Sequence, residues 1–550
     1  MQQRPASLGM NKIGRAMSQP IPDDHGGDSS ERVPHPHRKH IEGQRLPAWF
    51  GIVLGPALFA LLRLLPAPGG MGEDAWTVAA VAVLMAVWWL TEAVPVAATA
   101  LLPLALFPLL GQGSMTAVAA PYANPLIFLF MGGLMIALAV ERWGLHRRIA
   151  LSVLTRVGTR PRQLVGAFMG VAAGLSMWIS NTASTIMMLP IALSVIAIVV
   201  TAGTERAAEG GETEDGETED GETEDGETQA RRTPPFAKAL LIATAYGASI
   251  GGVATLVGTP PNALLAGFVS ANLGITIGFA QWMALGVPTA LIMLALGWLI
   301  LTRFVFRLGG EALAGAAGAI AREAQDLPPI STAEKRVLAV FLATAALWIF
   351  RPVLQGIEAL AGPLAGLSDA GIAITAGVVL FCVPVNLRKR EFLLNWEWAR
   401  KLPWGVLILF GGGLSLAGQV SASGLAEWIG QSLTVFAALP LLVIVLILTT
   451  VIVFLTELTS NTATTATFLP VIAALAAAMG APAMMLLVPA ALAASMAFMM
   501  PVATPPNAIV FSGGQLTIPD MARAGFLVNL TAIAVISAVV WLLAPVVFGP

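Results

Sequence analysis

The tripeptide Ser-Asn-Thr stands twice in this chain, at Ser180-Asn181-Thr182 and at Ser460-Asn461-Thr462, inside segments that are otherwise apolar. These residue types suit ion binding better than bond making. An Asn amide offers its NH2 to a carboxylate while its carbonyl oxygen faces a hard cation, and Ser and Thr hydroxyls can serve either ligand. At the tip of a helical hairpin the backbone adds unpaired N–H groups for an anion and C=O groups for sodium. One location can therefore hold both. Small polar residues also bond across packed helices in membrane bundles, and a single Ser-Asn-Thr would be read that way. Its repetition favours a site.

The repetition extends well beyond three residues. Each Ser-Asn-Thr is followed by Leu-Pro, at Leu189-Pro190 and Leu469-Pro470, and the offset of 280 also relates Gly132-Gly133-Leu134 to Gly412-Gly413-Leu414 and Gly144-Leu145 to Gly424-Leu425. Thr259-Pro260-Pro261-Asn262 returns as Thr504-Pro505-Pro506-Asn507 at an offset of 245. The difference, 280 − 245 = 35, is the length of an acidic insert at 201–235. The chain is two copies of one unit. Paired prolines remove two donors and disfavour helix just before them, so each Thr-Pro-Pro-Asn predicts a broken helix with carbonyls free for a cation. Unwound backbone at membrane depth is tolerated only where it lines a cavity or is buried in protein, and broken helices at matching positions of two halves point to a secondary transporter's binding site.

Catalytic chemistry finds little support. His25, His35, His37 and His40 lie in a polar N-terminal arm and His146 in a basic loop, which leaves no intramembrane histidine cluster, no metal-ligand spacing and no histidine-based nucleophile system. No enzyme is expected, and no cofactor beyond a coupling cation. Basic residues are missing from every apolar segment that carries a repeated word, so an anion would have to be held by neutral donors, helix N-termini and co-bound cations. Among the few acidic residues near spans are Glu92, Glu141 and Glu457. Glu457, three residues before Ser460, could supply negative potential or accept a proton; a neutral, hydrogen-bonded role in orienting the hairpin is the preferred reading. Glu92 is expected to orient loops, and Gly132–Gly133 and Gly411–Gly413 to permit close helix packing.

Hydrophobic residues make up 56% of the chain and charged residues 11%, with mean hydropathy +0.79, against about a quarter charged in soluble domains. The fold class is therefore an all-α polytopic membrane protein. Apolar stretches long enough to span, roughly 20 residues each, lie near 46–66, 75–92, 94–111, 123–141, 236–257, 279–302, 334–352, 369–386, 403–420, 480–515 and 526–548. Two further stretches, 163–200 and 439–476, carry the Ser-Asn-Thr words at their middle and are expected to be re-entrant hairpins. That makes about eleven transmembrane helices plus two hairpins. Lys and Arg collect in short cytoplasmic loops. They cluster at Arg142–Arg162, Arg303–Arg336 and Arg388–Lys401, and none occurs between Lys401 and Arg523. Parity then places the N-terminus in the cytoplasm and the C-terminus outside, with the hairpins entering from opposite faces: two inverted-topology repeats.

The expected organisation is a disordered cytoplasmic arm at 1–45, a first repeat at 46–308, a cytoplasmic connecting segment at 309–333 and a second repeat at 334–550. The insert runs Gly-Glu-Thr-Glu-Asp from Gly211 and holds twelve acidic residues between Glu205 and Glu227; self-repulsion and lack of apolar residues predict a disordered linker. The one cysteine, Cys382, excludes a disulfide framework within the chain.

Both Ser-Asn-Thr words, both Thr-Pro-Pro-Asn words, Trp88-Trp89-Leu90-Thr91-Glu92 and Glu141-Arg142-Trp143-Gly144-Leu145-His146-Arg147 together resemble the divalent anion:sodium symporter family, which includes bacterial dicarboxylate carriers and animal sodium-coupled citrate and dicarboxylate transporters. The likeness covers about residues 45–548. It implies an eleven-helix homodimer in the cell membrane, with scaffold and transport domains and an elevator-like movement. By motif it implies a first sodium site at Ser176, Ser180, Asn181 and Gly258 and a second at Thr456, Thr459, Asn461 and Ala503, several acting through backbone carbonyls. It also implies substrate carboxylates at Asn181, Thr182, Ser460, Asn461 and Thr462, with Thr259 and Thr504 at the margins.

The expected function is sodium-coupled uptake of C4 dicarboxylates such as succinate, malate or fumarate. A dicarboxylate exchanger, or a sulfate or tricarboxylate carrier of the same fold, is the alternative. The partners are then a small dicarboxylate anion, sodium, membrane lipid and a second copy of the chain, with no nucleic acid. A channel would need a continuous polar pore rather than words converging on one location, and a receptor would need a folded soluble domain that no loop provides.

Overall fold

The computed structural model describes residues 48–209, 234–313, 315–433 and 438–549, and these are predominantly helical. The N-terminal arm and residues 210–233 of the acidic insert, for which disorder is expected, lie outside the described residues. The chain opens with α1 (Ala48–Leu64) and α2 (Glu73–Thr91), which pack as an antiparallel pair. It continues through α3 (Pro125–Arg142), α4 (Leu145–Leu154), α5 (Pro161–Ser176), α6 (Asn181–Glu209), α7 (Pro235–Gly252), α8 (Pro260–Leu273) and α9 (Phe279–Leu299). A short amphipathic α10 (Ala316–Gln325) precedes α11 (Thr332–Gly356) and α12 (Asp369–Cys382), and a two-stranded ribbon pairs β1 (Pro384–Asn386) with β2 (Glu391–Phe392).

The order of α3 to α9 then returns in α13 (Trp404–Ala422), α14 (Leu425–Ser432), α15 (Leu441–Leu455), α16 (Asn461–Met479), α17 (Ala483–Ala494), α18 (Pro505–Ser512) and α19 (Ile518–Phe548). Local chemistry returns with it. Gly144 and Gly424 take the left-handed conformation (φ 69° and 80°) that opens α4 and α14, a conformation open to glycine without steric cost. The glycine pairs are packing sites, as expected from the sequence. A Cβ on Gly132 would fall 2.5 Å from the Ala373 carbonyl, and one on Gly412 would fall 2.3 Å from that of Ala100.

Eight helices among the described residues are long and apolar enough to cross a membrane, and five shorter apolar ones accompany them. Two of the eight, Asn181–Thr201 and Asn461–Met479, begin at the asparagines of the Ser-Asn-Thr words. The apolar stretch at 480–515 is not one span, because α17 ends at Ala494 and the chain is unwound until α18. Outward faces carry exposed Leu64, Phe304, Val353 and Val546, which water would penalise and lipid would not. Tight packing centres on α7, where Gly247 and Gly251 lie against the backbone of α5.

Candidate substrate and sodium site

The first Ser-Asn-Thr word sits where two antiparallel arms meet, with Ser184 Oγ donating to Ala172 O across them; the second sits in the short link between α15 and α16. In the first, α5 ends at Ser176 and α6 begins at Asn181, with the Ala183 N–H donating to Ser180 Oγ at 3.1 Å. In the second, α15 ends at Leu455 and α16 begins at Asn461, with Ser460 as N-cap residue. The first turn of an α-helix has N–H groups without intrahelical partners and carries the positive end of its dipole. Both words thus place such a terminus at their asparagine.

The asparagines are held alike. Ser176 Oγ lies 2.5 Å from Asn181 Oδ1, and Thr456 Oγ1 lies 2.7 Å from Asn461 Oδ1. Thr185 and Thr465 donate to the carbonyls of Asn181 and Asn461 at 2.9 and 2.8 Å. With each amide oxygen taken by the preceding turn, the NH2 groups of Asn181 and Asn461 make no hydrogen bond within the described protein. The same is true of the hydroxyls of Thr182, Ser460 and Thr462. All five residues are half-buried, and each keeps a donor free for an anion.

The unwound segments complete each half. Residues 253–259 and 495–504 separate α7 from α8 and α17 from α18, and Thr259 and Thr504 stand extended before the paired prolines (φ −144° and −138°). Asn262 Nδ2 donates to the carbonyls of Val253 and Thr255 at 3.2 and 2.8 Å, with Gly252 O at 3.4 Å. Asn507 Nδ2 donates to those of Ala497 and Met500 at 3.3 and 3.0 Å. Since 252 + 245 = 497 and 255 + 245 = 500, these are the same bonds in the two halves. Both asparagines are fully buried. Sequence reasoning quoted these words but gave Asn262 and Asn507 no role; their repetition was the available signal.

Gly252 brings the first half together. A Cβ there would lie 2.6 Å from Asn181 Oδ1, 3.1 Å from Asn181 Nδ2 and 3.1 Å from Gly258 O. Ser176, Asn181 and Gly258, all expected at the first sodium site, thus supply neutral oxygens around one small space, the donor type a hard cation takes. In the second half Thr456 Oγ1 reaches Asn461 Oδ1 and, at 3.0 Å, Ala494 O. Thr459 turns its hydroxyl to Leu455 O and Thr464 Oγ1, which leaves its carbonyl as the group it can offer. Ser180 Oγ accepts the helix-cap hydrogen bond from Ala183 N–H. Ala503 is buried on the unwound segment, with Met500 O accepting from its N–H at 3.2 Å. Thr504 Oγ1 accepts from Asn507 N at 3.3 Å.

The halves interlock through their outgoing helices. α6 packs on α18 and α16 on α8, so each hairpin touches the helix that follows the other half's unwound segment. Glu457 is buried, and both oxygens accept from backbone N–H groups of 498–500, as an ionised carboxylate does; its hydrogen-bonded, orienting role is as expected, but the neutral form preferred from the sequence does not suit these donors. A cavity of about 430 Å³ backs onto Leu175, Trp178 and Ile179 of the first hairpin, but its lining is apolar and unsuited to a dianion. Among the described residues no cluster of His, Cys, Asp and Glu is arranged to hold a metal ion.

Residues 47–549 match the family model described as the sodium:sulfate symporter transmembrane region. The chain is 42% identical over 514 residues to the sodium-dependent dicarboxylate transporter SdcS of Staphylococcus saprophyticus, covering 93% of this chain and 94% of that one. It is 39% identical over 500 residues to SdcS of Staphylococcus aureus, covering 91% and 92%. Its fold is similar to two solved structures. One is the Alcanivorax borkumensis YdaH transporter, with TM-score 0.55, 14% identity and coverage of 87% of this chain and all of that one. The other is Neisseria gonorrhoeae MtrF, with TM-score 0.53, 11% identity and coverage of 91% and 96%. Model match and relatives agree with the doubled words at the hairpin tips: the chain belongs to the sodium:sulfate symporter family, the divalent anion:sodium symporters.

Proposed function

We propose that this protein is a sodium-coupled importer of C4 dicarboxylates, with Asn181, Thr182, Ser460, Asn461 and Thr462 receiving the substrate carboxylates and Thr259 and Thr504 at the margins. One observation carries the reading. Both hairpin tips present an Asn whose amide oxygen is turned to a hydroxyl and whose NH2 is left free. Two such donors suit a dianion with a carboxylate at each end. Sodium would sit behind them, on Ser176, Ser180, Asn181 and Gly258 in one half and on Thr456, Thr459, Asn461 and Ala503 in the other. The names of the staphylococcal relatives support this substrate class. In this reading the protein works as a homodimer in the cell membrane, with N-terminus cytoplasmic and C-terminus outside. The hairpins then travel with the unwound segments as an elevator between inward and outward states.

The family's description also names sulfate, and a sulfate carrier, a tricarboxylate carrier or a dicarboxylate exchanger would use the same words. Purified protein in liposomes tests the choice. Radiolabelled succinate should accumulate when sodium is imposed outside, and excess malate or fumarate should compete where sulfate and citrate do not. Uptake only against internal dicarboxylate would make it an exchanger.

A further inference from the structure

The two hairpins are joined to their unwound segments by different means. In the first half, α7 lies directly on α5: a Cβ on Gly247 would be 2.3 Å from Met169 O, and one on Gly251 would be 2.2 Å from Ala173 O. At the offset of 245 these positions hold Leu492 and Met496, both fully buried. The second half thus lacks the glycines that let α7 meet α5 backbone to backbone. Beyond the glycine contact, one side-chain hydrogen bond among the described residues ties tip to segment in the first half, the Thr255 hydroxyl donating to Met177 O at 2.6 Å.

In the second half the counterpart of Met177 is Glu457, and the counterpart of Thr255 is Met500. The bond between these positions survives with its chemistry exchanged: Met500 N–H donates to Glu457 Oε2 at 2.9 Å. The same carboxylate accepts from Phe498 N at 2.6 Å, from Met499 N at 2.9 and 3.0 Å and from Asn529 Nδ2 of α19 at 2.7 Å. The Phe498 peptide is gripped from its other side too, because Tyr246 Oη on α7 donates to Phe498 O at 2.6 Å. Met500 in turn is bonded through its carbonyl to Ala503 N and Asn507 Nδ2.

We propose that Glu457 is the positioning residue of the second cation half-site. It replaces the glycine-mediated backbone contact of the first half, holding 498–500, and through Met500 O the Ala503 N–H, beside the second Ser-Asn-Thr word. It touches neither ion nor substrate. Tyr246, reaching across from the first half, supports the same peptide. This inference rests on the sodium-coupled reading above. An amide cannot take the place of the carboxylate, since both oxygens receive N–H donors and a glutamine would turn its own NH2 toward some of them.

The test is the sodium dependence of succinate uptake in liposomes. Glu457→Gln should raise the sodium concentration for half-maximal uptake by about tenfold or more, as expected for loss of hydrogen bonds to a charged group. The succinate KM at saturating sodium should stay within about twofold of the parent, because Asn461 and its neighbours are intact. Glu457→Asp, which keeps the acceptors on a shorter stem, should fall between. Tyr246→Phe removes one hydroxyl and leaves the packing, and should shift sodium dependence severalfold in the same direction. A Glu457→Gln protein with lower thermal stability or maximal rate but the parent's sodium dependence would overturn the proposal. If that variant does not fold, an unchanged sodium dependence in Tyr246→Phe overturns it equally. Parent uptake that persists when choline replaces sodium would instead defeat the sodium-coupled reading itself.

Discussion

A methyl group on Gly252 would stand 2.6 Å from Asn181 Oδ1, well inside van der Waals contact. Gly252→Ala therefore fills the space that Asn181 and the Gly258 carbonyl enclose. Overpacking of this kind costs about 1–3 kcal/mol, and here the strain falls on the amide that orients the first half-site. We expect uptake to be lost while the protein still inserts and purifies. The counterpart Ala497 already carries a Cβ, so Ala497→Gly should keep most activity. Uptake assays beside thermal melting of both variants check the contrast.

Asn181→Asp and Asn461→Asp keep size and shape but exchange the free NH2 for a negative oxygen. Losing one hydrogen bond to a charged acceptor costs about 1.5–3 kcal/mol, roughly a tenfold to hundredfold loss of affinity, and repulsion between carboxylates deepens it. Succinate binding and uptake should collapse in both, with sodium binding less affected. Near-parental succinate affinity in either would mean that its hairpin tip does not hold substrate.

Asn262→Ala should leave the Thr255 carbonyl without its donor in a fully buried place, while the Val253 carbonyl keeps the Trp282 Nε1–H donor. Stranding such groups costs about 1–3 kcal/mol each. Asn507→Ala should behave alike, stranding the Ala497 carbonyl while Met500 O keeps the Ala503 N–H. Lower melting temperatures and a loss of sodium-induced stabilisation are expected in both. A stabilisation by sodium equal to the parent's would show that the asparagines do not shape the carbonyls.

Sodium rather than protons should drive uptake, since the convergent groups are neutral oxygens and His146 of α4, at 3.2 Å from Val140 O of α3, is far along the chain from either Ser-Asn-Thr word. An imposed sodium gradient should accumulate succinate at constant pH. Accumulation that follows a pH gradient with choline in place of sodium would point to a proton carrier.

Removing residues 210–228 from the acidic insert should leave uptake unchanged, because the second half follows the same element order with no such segment between its hairpin and its unwound helix. Loss of uptake at normal membrane levels would give the loop a role.

The doubled words, their offsets of 280 and 245 and the apolar composition determined a great deal without coordinates. They determined membrane residence, links between helices just before Asn181 and Asn461 and helix breaks before Pro260 and Pro505, because proline chemistry and the cost of unpaired backbone in lipid act locally on the chain. Asn262 and Asn507 stood in plain view in those words, but their partners lie seven and ten residues back across a break, and no period marks such a bond. Only the tertiary structure decided that each Asn amide turns its oxygen to the preceding hydroxyl, that Gly252 lies against Asn181, and that Glu457 answers for Gly247 and Gly251. Those relations join elements tens to hundreds of residues apart. They depend on how closely two helix backbones can approach, which the packing of side chains such as Leu492 and Met496 settles in three dimensions.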